Sequence, residues 1–210
     1  MNTSGHPPAN PLLTPLPIAV LAGGSSSRMG RDKASLEIDG TTLLRRTVGI
    51  AREYTPDIAV VGRARPDDWD AHTPVTYLPD DAPGAGPLGG IATALRWALS
   101  IGREAVVVIA CDLPLLSSPA LAWLLETAEE SRPFADGIAA VGAEDRIEPL
   151  FSVYGIACQD QISARIASGR RSPTRMILEG RFGVVDAPEF VVRALANANT
   201  PEEWRALRPE

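Results

Sequence analysis

Short apolar runs recur along the chain and predict the strands of a buried sheet. Each run is rich in β-branched residues or alanine and is bounded by glycine, proline or aspartate. A run that is apolar on both faces is typical of a parallel strand covered by helices on each side. In the first part of the chain these runs are Ile18–Ala22, Ile58–Val61, Val75–Leu78 and Ala105–Ala110.

Longer segments between these runs carry apolar residues at helical spacing, namely Leu43–Glu53, Leu88–Ile101 and Pro119–Glu130. Strand and helix therefore alternate, which favours βαβ units around a mostly parallel sheet. The sequence predicts an α/β protein of the three-layer, Rossmann-like kind, with helices on both faces of the sheet.

The pattern becomes less regular after about Arg132. Shorter strands at Gly137–Val141 and Leu150–Tyr154 precede a helix at Gln159–Ser168. The chain has 210 residues, of which 45% are hydrophobic, and such a chain suits one domain that buries roughly 70% of its unfolded surface. We expect this domain to span residues 16–210 and the proline-rich stretch 1–15 to be a disordered tail.

Composition excludes several classes of partner. A net charge of −6 argues against general binding to nucleic acid or anionic membranes, because those partners need a basic face. No apolar run is long enough for a signal peptide or a membrane span. Cys111 and Cys158 lack C-x-x-C spacing, which argues against a disulfide framework or a structural zinc site and favours the cytoplasm.

The string LAGGSSSRMGRDK, residues 21–33, follows the first predicted strand. In open α/β sheets, ligands bind where the strands end. Gly23 and Gly24 let backbone N–H groups approach a phosphate, the serines add hydroxyl donors, and Arg28 and Lys33 add positive charge. The string predicts a polyphosphate site. The alternative is a glycine-rich turn with solvated cations.

Two familiar phosphate motifs do not fit. A Walker A loop needs lysine directly after its last glycine, whereas Arg31 and Asp32 separate Gly30 from Lys33. The segment GAGPLG, residues 84–89, matches the dinucleotide fingerprint in letters. It does not follow directly from a strand and contains Pro87, so a dehydrogenase is not expected.

Asp112 follows the predicted strand Ala105–Ala110 in the string VVVIACDLPLL. A carboxylate at this edge, facing a polyphosphate, is suited to Mg²⁺, a hard cation that bridges phosphate oxygens. The alternative is an aspartate that caps a turn or helix. Cys111 beside it is interpreted as a small buried residue.

Five motifs follow one another along the chain: LAGGSSSRMGRDK, GPLGG, CDLPLL, EPLFSVY and NANTPEE. Together, over residues 18–206, they resemble the MobA-type molybdenum cofactor guanylyltransferases. The LAGG motif is also similar to the wider nucleotidyltransferase superfamily, while GPLGG and CDLPLL are similar to the guanylyl branch and not to the cytidylyl branch.

The resemblance implies transfer of GMP from GTP to the terminal phosphate of molybdopterin or its molybdenum form, with release of pyrophosphate. It implies Mg²⁺ on Asp112 and GTP as the donor. Asp80 would accept hydrogen bonds from guanine N1 and N2, and Asp81 is the competing candidate. Backbone contacts to the nucleotide would come from Leu21, Ala22, Gly23 and Gly24, and the triphosphate would be held by Arg28 and Lys33.

One departure concerns the nucleotide side: many relatives have asparagine after the second strand, where this chain has Gly62 and Arg63. On the second-substrate side lies a basic segment with Arg165, Arg170, Arg171 and Arg175, which is either a phosphate site for molybdopterin or a solvated face. Asn197 and Asn199 are either second-substrate contacts or turn residues.

Other functions stay open on the sequence alone. The chain could act on another phosphorylated acceptor, as a cytidylyl-specific relative or with a sugar 1-phosphate. It could also be a non-catalytic GTP-binding subunit, although Arg28, Lys33 and Asp112 argue for turnover. Transient contact with proteins that deliver the cofactor or accept the product would be consistent with the expected reaction.

Overall fold

The computed structural model describes residues 15–23, 33–67, 69, 74–133 and 135–196. The strands are β1 Ile18–Leu21, β2 Glu37–Ile38, β3 Thr41–Thr42, β4 Ile58–Val61, β5 Thr76–Leu78, β6 Ala105–Ala110, β7 Gly137–Val141, β8 Ile147–Gly155 and β9 Phe182–Asp186. The α-helices are α1 Leu43–Arg52, α2 Pro87–Ser100, α3 Ser118–Glu130, α4 Gln159–Ala167, α5 Pro173–Glu179 and α6 Glu189–Ala194.

The main sheet has the strand order β5-β4-β1-β6-β8-β7-β9. β1 pairs in parallel with β4 and β6, and β4 pairs in parallel with β5. β8 is the exception, because it runs antiparallel to both β6 and β7, while β9 is parallel to β7. The predicted α/β fold with a mostly parallel sheet is confirmed.

Alternate residues of the strands enter two cores on opposite faces of the sheet, as expected for the two-residue period of a strand. In β1, Ile18 and Val20 join the core under α1, α3 and α6. Ala19 and Leu21 join the core under α2, α4 and α5. These two cores make the molecule three layers thick and hold the sheet edges in fixed positions.

The predicted strands Ile58–Val61, Ala105–Ala110 and Gly137–Val141 have the predicted bounds. β8 is longer than expected, since it begins at Ile147 and not at Leu150. Its first residues pair with β7 in an irregular register, which hides the strand from a simple alternation pattern.

Several short elements were not predicted: the β2–β3 hairpin, α5, β9 and α6. The hairpin turns through Asp39 and Gly40, both with positive φ, which is the Asp-Gly signal of a two-residue turn. α5 begins after Ser172, whose side chain accepts a hydrogen bond from Arg175 N. β9 is an edge strand with exposed residues, so no buried apolar run marks it.

Residues 1–14 of the expected tail lie outside the described residues. Across the part of the chain that the structure describes, no helix has the length and hydropathy needed to cross a membrane.

Candidate active site

The carboxyl ends of three neighbouring strands meet at one edge of the sheet. Leu21 at the end of β1 pairs with Val61 of β4 and with Ala110 of β6. Just beyond, Ala22 N donates to Val61 O at 2.9 Å and Cys111 N donates to Leu21 O at 3.1 Å. The glycine-rich loop and the segment that carries Asp112 therefore leave the sheet side by side.

The loops after β1 and β4 touch through their backbones. A Cβ atom built on Gly62 would lie 2.7 Å from Gly23 Cα, and one built on Gly23 would lie 3.0 Å from Gly62 Cα. Gly62 also has a φ of +84°, and its N–H donates to Leu78 O at 2.8 Å. Glycine at both positions allows this approach, which explains how Gly62 fits where relatives were expected to have asparagine.

Arg63 connects the loop after β4 to the far end of the predicted phosphate loop. Its Nη2 donates to Ser35 Oγ at 2.9 Å, and Ser35 ends the 3-10 turn Lys33–Ser35. The sequence marked Arg63 only as a departure from the expected asparagine. The backbone of Lys33 lies at this edge, whereas Gly24 and Arg28 lie outside the described residues.

Asp80 and Asp81 have different surroundings. Asp80 is partly buried, and its Oδ1 accepts a hydrogen bond from Ala82 N at 3.0 Å. Asp81 is exposed and forms an ion pair with Arg96 of α2. Its backbone N–H donates to Thr93 Oγ1 at 3.2 Å. The Asp81 carboxylate is thus engaged with a helix surface, while the Asp80 carboxylate lies beside the first turn of α2.

Two glycines of GPLGG let α2 approach the site closely. A Cβ on Gly89 would lie 2.7 Å from Asp80 Oδ1 and 2.7 Å from Ala82 O, and a Cβ on Gly90 would lie 3.1 Å from Leu21 Cδ1. Residues 79–86 separate β5 from α2. The segment GAGPLG therefore does not open directly from a strand, as predicted.

Asp112 is partly buried and lies two residues beyond the end of β6, next to the buried Cys111. Among the described residues, no group of three or more histidine, cysteine or acidic side chains is arranged to hold a metal ion. A single carboxylate fits Mg²⁺ when the other ligands are phosphate oxygens and water, which is the pattern this ion prefers in nucleotide sites.

Arg165 does not belong to an anion site. Its side chain is only 3% exposed, and its Nη2 lies 2.7 Å from Glu179 Oε2. Burial of an arginine requires such a partner. The Arg165 side chain therefore joins α4 to α5, and its inclusion in the candidate phosphate site is a correction to the sequence interpretation.

The other arginines of that segment are exposed: Arg170, Arg171 and Arg175. α4 begins after Gly155, which pairs with the first residue of β6, and α5 leads into Phe182, which pairs with the first residue of β7. Both helices thus have one end near the amino edge of the sheet. Asn197 and Asn199 lie outside the described residues.

Glu148 is a carboxylate at this edge that was not among the predicted site residues. It is the second residue of β8, and its side chain is 19% exposed. Burial raises the pKa of its carboxyl group, and the nearby Arg146 opposes that rise. Glu148 is the first residue of the motif EPLFSVY, but no local pattern predicts that β8 begins early enough to bring it to the edge.

The start of a glycine-rich loop and a strand-end carboxylate lie together at the carboxyl edge of this sheet, which is where open α/β sheets bind nucleotides. The class of protein that this fold and site define is the nucleotidyltransferases. Residues 18–182 match the MobA-like NTP transferase domain, and the chain belongs to that family.

Curated relatives agree with this assignment. The chain is 35% identical over 189 residues to a protein named probable molybdenum cofactor guanylyltransferase from Opitutus terrae, covering 88% of this chain and 91% of the relative. It is also 35% identical to the molybdenum cofactor guanylyltransferase of Rhizobium meliloti over 198 residues, covering 90% and 88%.

Solved structures share the fold. Molybdopterin-guanine dinucleotide biosynthesis protein A from Archaeoglobus fulgidus superposes with a TM-score of 0.71 at 22% identity, covering 91% of this chain and 96% of that one. The 2-C-methyl-D-erythritol 4-phosphate cytidylyltransferase from Thermus thermophilus gives 0.64 at 16% identity, covering 92% and 97%. At these identities the likeness concerns the fold alone.

Proposed function

We propose that the protein transfers GMP from GTP to the terminal phosphate of molybdopterin or molybdenum cofactor, releasing pyrophosphate and forming the guanine dinucleotide. The proposal is supported by relatives of that name at 35% identity over most of both chains. The observation that carries it is the pairing of Leu21 with Ala110, which brings the Gly23 loop and Asp112 to adjacent positions.

The acceptor phosphate needs no side-chain base. Its second pKa is about 6, so it is already an anion near neutral pH. The enzyme must therefore hold this anion in line with the α-phosphorus of GTP and neutralise the charge that develops on the leaving pyrophosphate. We assign that neutralisation to Arg28 and Lys33 of the phosphate loop.

Asp112 is the residue that would hold Mg²⁺. The bound ion would supply charge neutralisation on the phosphate oxygens. Asp112 is suited to this role because it lies two residues beyond the end of β6 and is only partly buried, so it can be reached from the edge.

Guanine selection is assigned to Asp80. A carboxylate accepts two hydrogen bonds from guanine N1–H and N2–H₂, whereas adenine has an acceptor at N1 and no amino group at C2. Asp81 is less suited to this role because its carboxylate pairs with Arg96. Backbone groups of Leu21, Ala22, Gly23 and Gly24 would complete the nucleotide contacts.

Arg170, Arg171 and Arg175 are assigned to the acceptor side, together with Asn197 and Asn199. Exposed arginines suit a phosphate because the guanidinium group donates two parallel hydrogen bonds. We place the reaction in the cytoplasm, with transient contacts to proteins that deliver molybdopterin or receive the product.

The test is to incubate the purified protein and Mg²⁺ with molybdopterin and GTP, CTP or ATP in turn, measuring pyrophosphate and the dinucleotide product. We expect turnover with GTP and little with the others. Asp112→Asn should retain the thermal unfolding temperature and lose nearly all transfer, since an amide is a poor ligand for a hard cation. Equal turnover with CTP, or product only with a sugar 1-phosphate, would contradict the proposal.

A further inference from the structure

The loop that carries Asp80 is fastened to α2 by a buried hydroxyl group. Thr93 of α2 is 3% exposed. Its Oγ1 accepts a hydrogen bond from Asp81 N at 3.2 Å and donates one to Gly89 O at 3.1 Å. The residue that follows Asp80 is therefore bonded to the helix from inside the protein.

The bond between Thr93 and the loop is not part of ordinary helix packing. A threonine within a helix commonly donates to the carbonyl four residues earlier, as Thr93 does to Gly89 O. That donation satisfies the hydroxyl proton and leaves two lone pairs. One lone pair accepts from Arg96 Nη2 at 3.3 Å, and the other accepts from Asp81 N, 12 residues earlier in the chain.

The Thr93 hydroxyl controls the direction in which the chain leaves Asp80. The N–H group of Asp81 and the C=O group of Asp80 belong to one planar peptide unit, so fixing that N–H also fixes the orientation of the Asp80 carbonyl. At the side chain, Asp80 Oδ1 accepts from Ala82 N at 3.0 Å. A Cβ on Gly89 would lie 2.7 Å from the same oxygen, so the carboxylate lies tightly against the helix.

The ion pair between Asp81 and Arg96 is a weaker connection between the same loop and helix. The two side chains are 47% and 44% exposed, and exposed ion pairs contribute little. Asp81→Ala would remove this pair but keep the backbone N–H that Thr93 binds. The two connections can therefore be separated by mutation.

We propose that Thr93 is a positioning residue for guanine recognition, a proposal that rests on the assignment of Asp80 to guanine under the proposed function. Because Thr93 is buried, it acts through Asp80 and not by contact with the nucleotide. Asp80 must meet guanine N1–H and N2–H₂ at the same time, and paired hydrogen bonds of this kind demand exact placement. Recognition of the 2-amino group is therefore the property that depends on Thr93.

The test measures the binding of GTP and inosine triphosphate by calorimetry, with Mg²⁺ and without an acceptor. Inosine triphosphate keeps N1–H and lacks the 2-amino group, so the ratio of its Kd to that of GTP reports the contact with that group. Thr93→Val keeps the shape of the side chain and removes the hydroxyl. We expect this ratio to fall about fivefold in Thr93→Val. In Thr93→Ser, which restores a hydroxyl, it should stay within about twofold of the wild-type ratio.

Thr55→Val is the matched control. Thr55 is also 3% exposed, and its Oγ1 accepts from Asp57 N at 3.2 Å. It precedes β4 at the amino edge of the sheet, so its loss should lower the unfolding temperature and keep the wild-type ratio. In the Asp80→Ala protein, the further change Thr93→Val should leave the ratio unchanged, because the side chain through which Thr93 acts is absent.

A wild-type ratio in Thr93→Val would overturn the inference, as would an equal fall in Thr55→Val. A further fall when Thr93→Val is added to Asp80→Ala would also overturn it, since Thr93 would then not act through Asp80. An unchanged ratio in Asp80→Ala itself would contradict the guanine assignment and the inference with it. A wild-type protein that prefers GTP but transfers no GMP to molybdopterin would contradict the proposed reaction alone, and the binding ratios would still decide the role of Thr93.

Discussion

Gly23 and Gly62 are in backbone contact, and neither position has room for a methyl group. The Cβ that any other residue would add at position 62 lies 2.7 Å from Gly23 Cα and 3.0 Å from Gly23 N. The Gly23 N–H group is one of those assigned to the nucleotide. The loop after β4 thus sets the position of the loop after β1.

Gly62→Ala should weaken GTP binding as well as stability. The positive φ alone costs about 1 to 2 kcal/mol for a residue with a side chain, and the contact forces Gly23 to move. The KM for GTP should rise severalfold, as measured by initial rates at saturating acceptor.

Gly40→Ala is the matched control for this substitution. Gly40 has a φ of +72°, with no atom within 4 Å of the added Cβ. It should lose only the free energy of unfolding that the positive φ costs, about 1 to 2 kcal/mol, and keep the wild-type KM for GTP. The same KM for both variants would show that Gly62 acts only on stability.

Asp80→Ala should narrow the preference for GTP over ATP, because a hydrogen-bonding partner of guanine is lost. Such a loss corresponds to about 1–3 kcal/mol, and to more for a buried charge. Asp81→Ala removes an exposed ion pair, worth at most about 1 kcal/mol, and should leave the ratio of kcat/KM values for the two nucleotides unchanged. A reversed pattern would assign base recognition to Asp81.

Gly89→Ala tests the role of the Asp80 carboxylate by displacing it and not by removing it. The added methyl group would lie 2.7 Å from both Asp80 Oδ1 and Ala82 O, so it should displace Asp80 and lower GTP selectivity without removing any polar group. If selectivity survives both Gly89→Ala and Asp80→Ala, the base is read by the backbone near Gly23.

The Arg63–Ser35 hydrogen bond should contribute to the position of the phosphate loop. In a double-mutant cycle with Arg63→Ala and Ser35→Ala, we expect a coupling of about 0.5–1.5 kcal/mol in kcat/KM for GTP. Strictly additive effects on kcat/KM would mean that the Arg63–Ser35 hydrogen bond does not influence how the protein binds or turns over GTP.

Glu179→Ala should destabilise the protein, because it leaves the buried Arg165 without its ionic partner. Acceptor binding should stay unchanged. We expect a loss of about 2 kcal/mol in urea unfolding, less than for a fully buried pair, since Glu179 is 53% exposed. Glu189→Ala removes the partner of the exposed Arg193 and should change the unfolding free energy by less than about 0.5 kcal/mol. An increased KM for molybdopterin in Glu179→Ala would return Arg165 to the substrate site.

Cys158 should be inert in the folded protein. Burial, and to a lesser extent the charge of Asp136, raise the pKa of its thiol to about 12. The thiol also donates to Gly155 O at 3.0 Å. In Cys111→Ser, which leaves Cys158 as the remaining thiol, Ellman's reagent at pH 8 should label the protein only after denaturant is added. Stoichiometric labelling of the native protein would contradict this.

The parallel half of the fold was predictable because its strands are continuous buried runs, such as Ala105–Ala110, in which every residue is buried. Glycine, proline and aspartate at their ends mark the boundaries. The predicted positions of Gly23 and Asp112 followed directly, since parallel strands deliver their carboxyl ends to one edge.

The remaining parts of the fold and of the candidate site could not be predicted, because they depend on contacts between residues that are distant in the sequence. Nothing in the local pattern reveals that Arg165 is buried against Glu179, because both belong to a stretch rich in charge. The early start of β8, and with it the position of Glu148, depends on pairing with β7 across an irregular register. Arg28, Asn197 and Asn199 lie outside the described residues, so their assignments stay predictions from the sequence.

The hairpin between β7 and β8, residues 142–146, opens at the carboxyl edge. The other strands that end there are followed by helices or long loops, which must return the chain to the opposite edge before the next strand begins. A hairpin joins two strands at the same edge. Residues can therefore be inserted at its tip without changing the register of any strand pair in the sheet. A change in the length of this one turn would thus alter the surface at the β7–β8 end of the carboxyl edge while the β1, β4 and β6 end stays as it is.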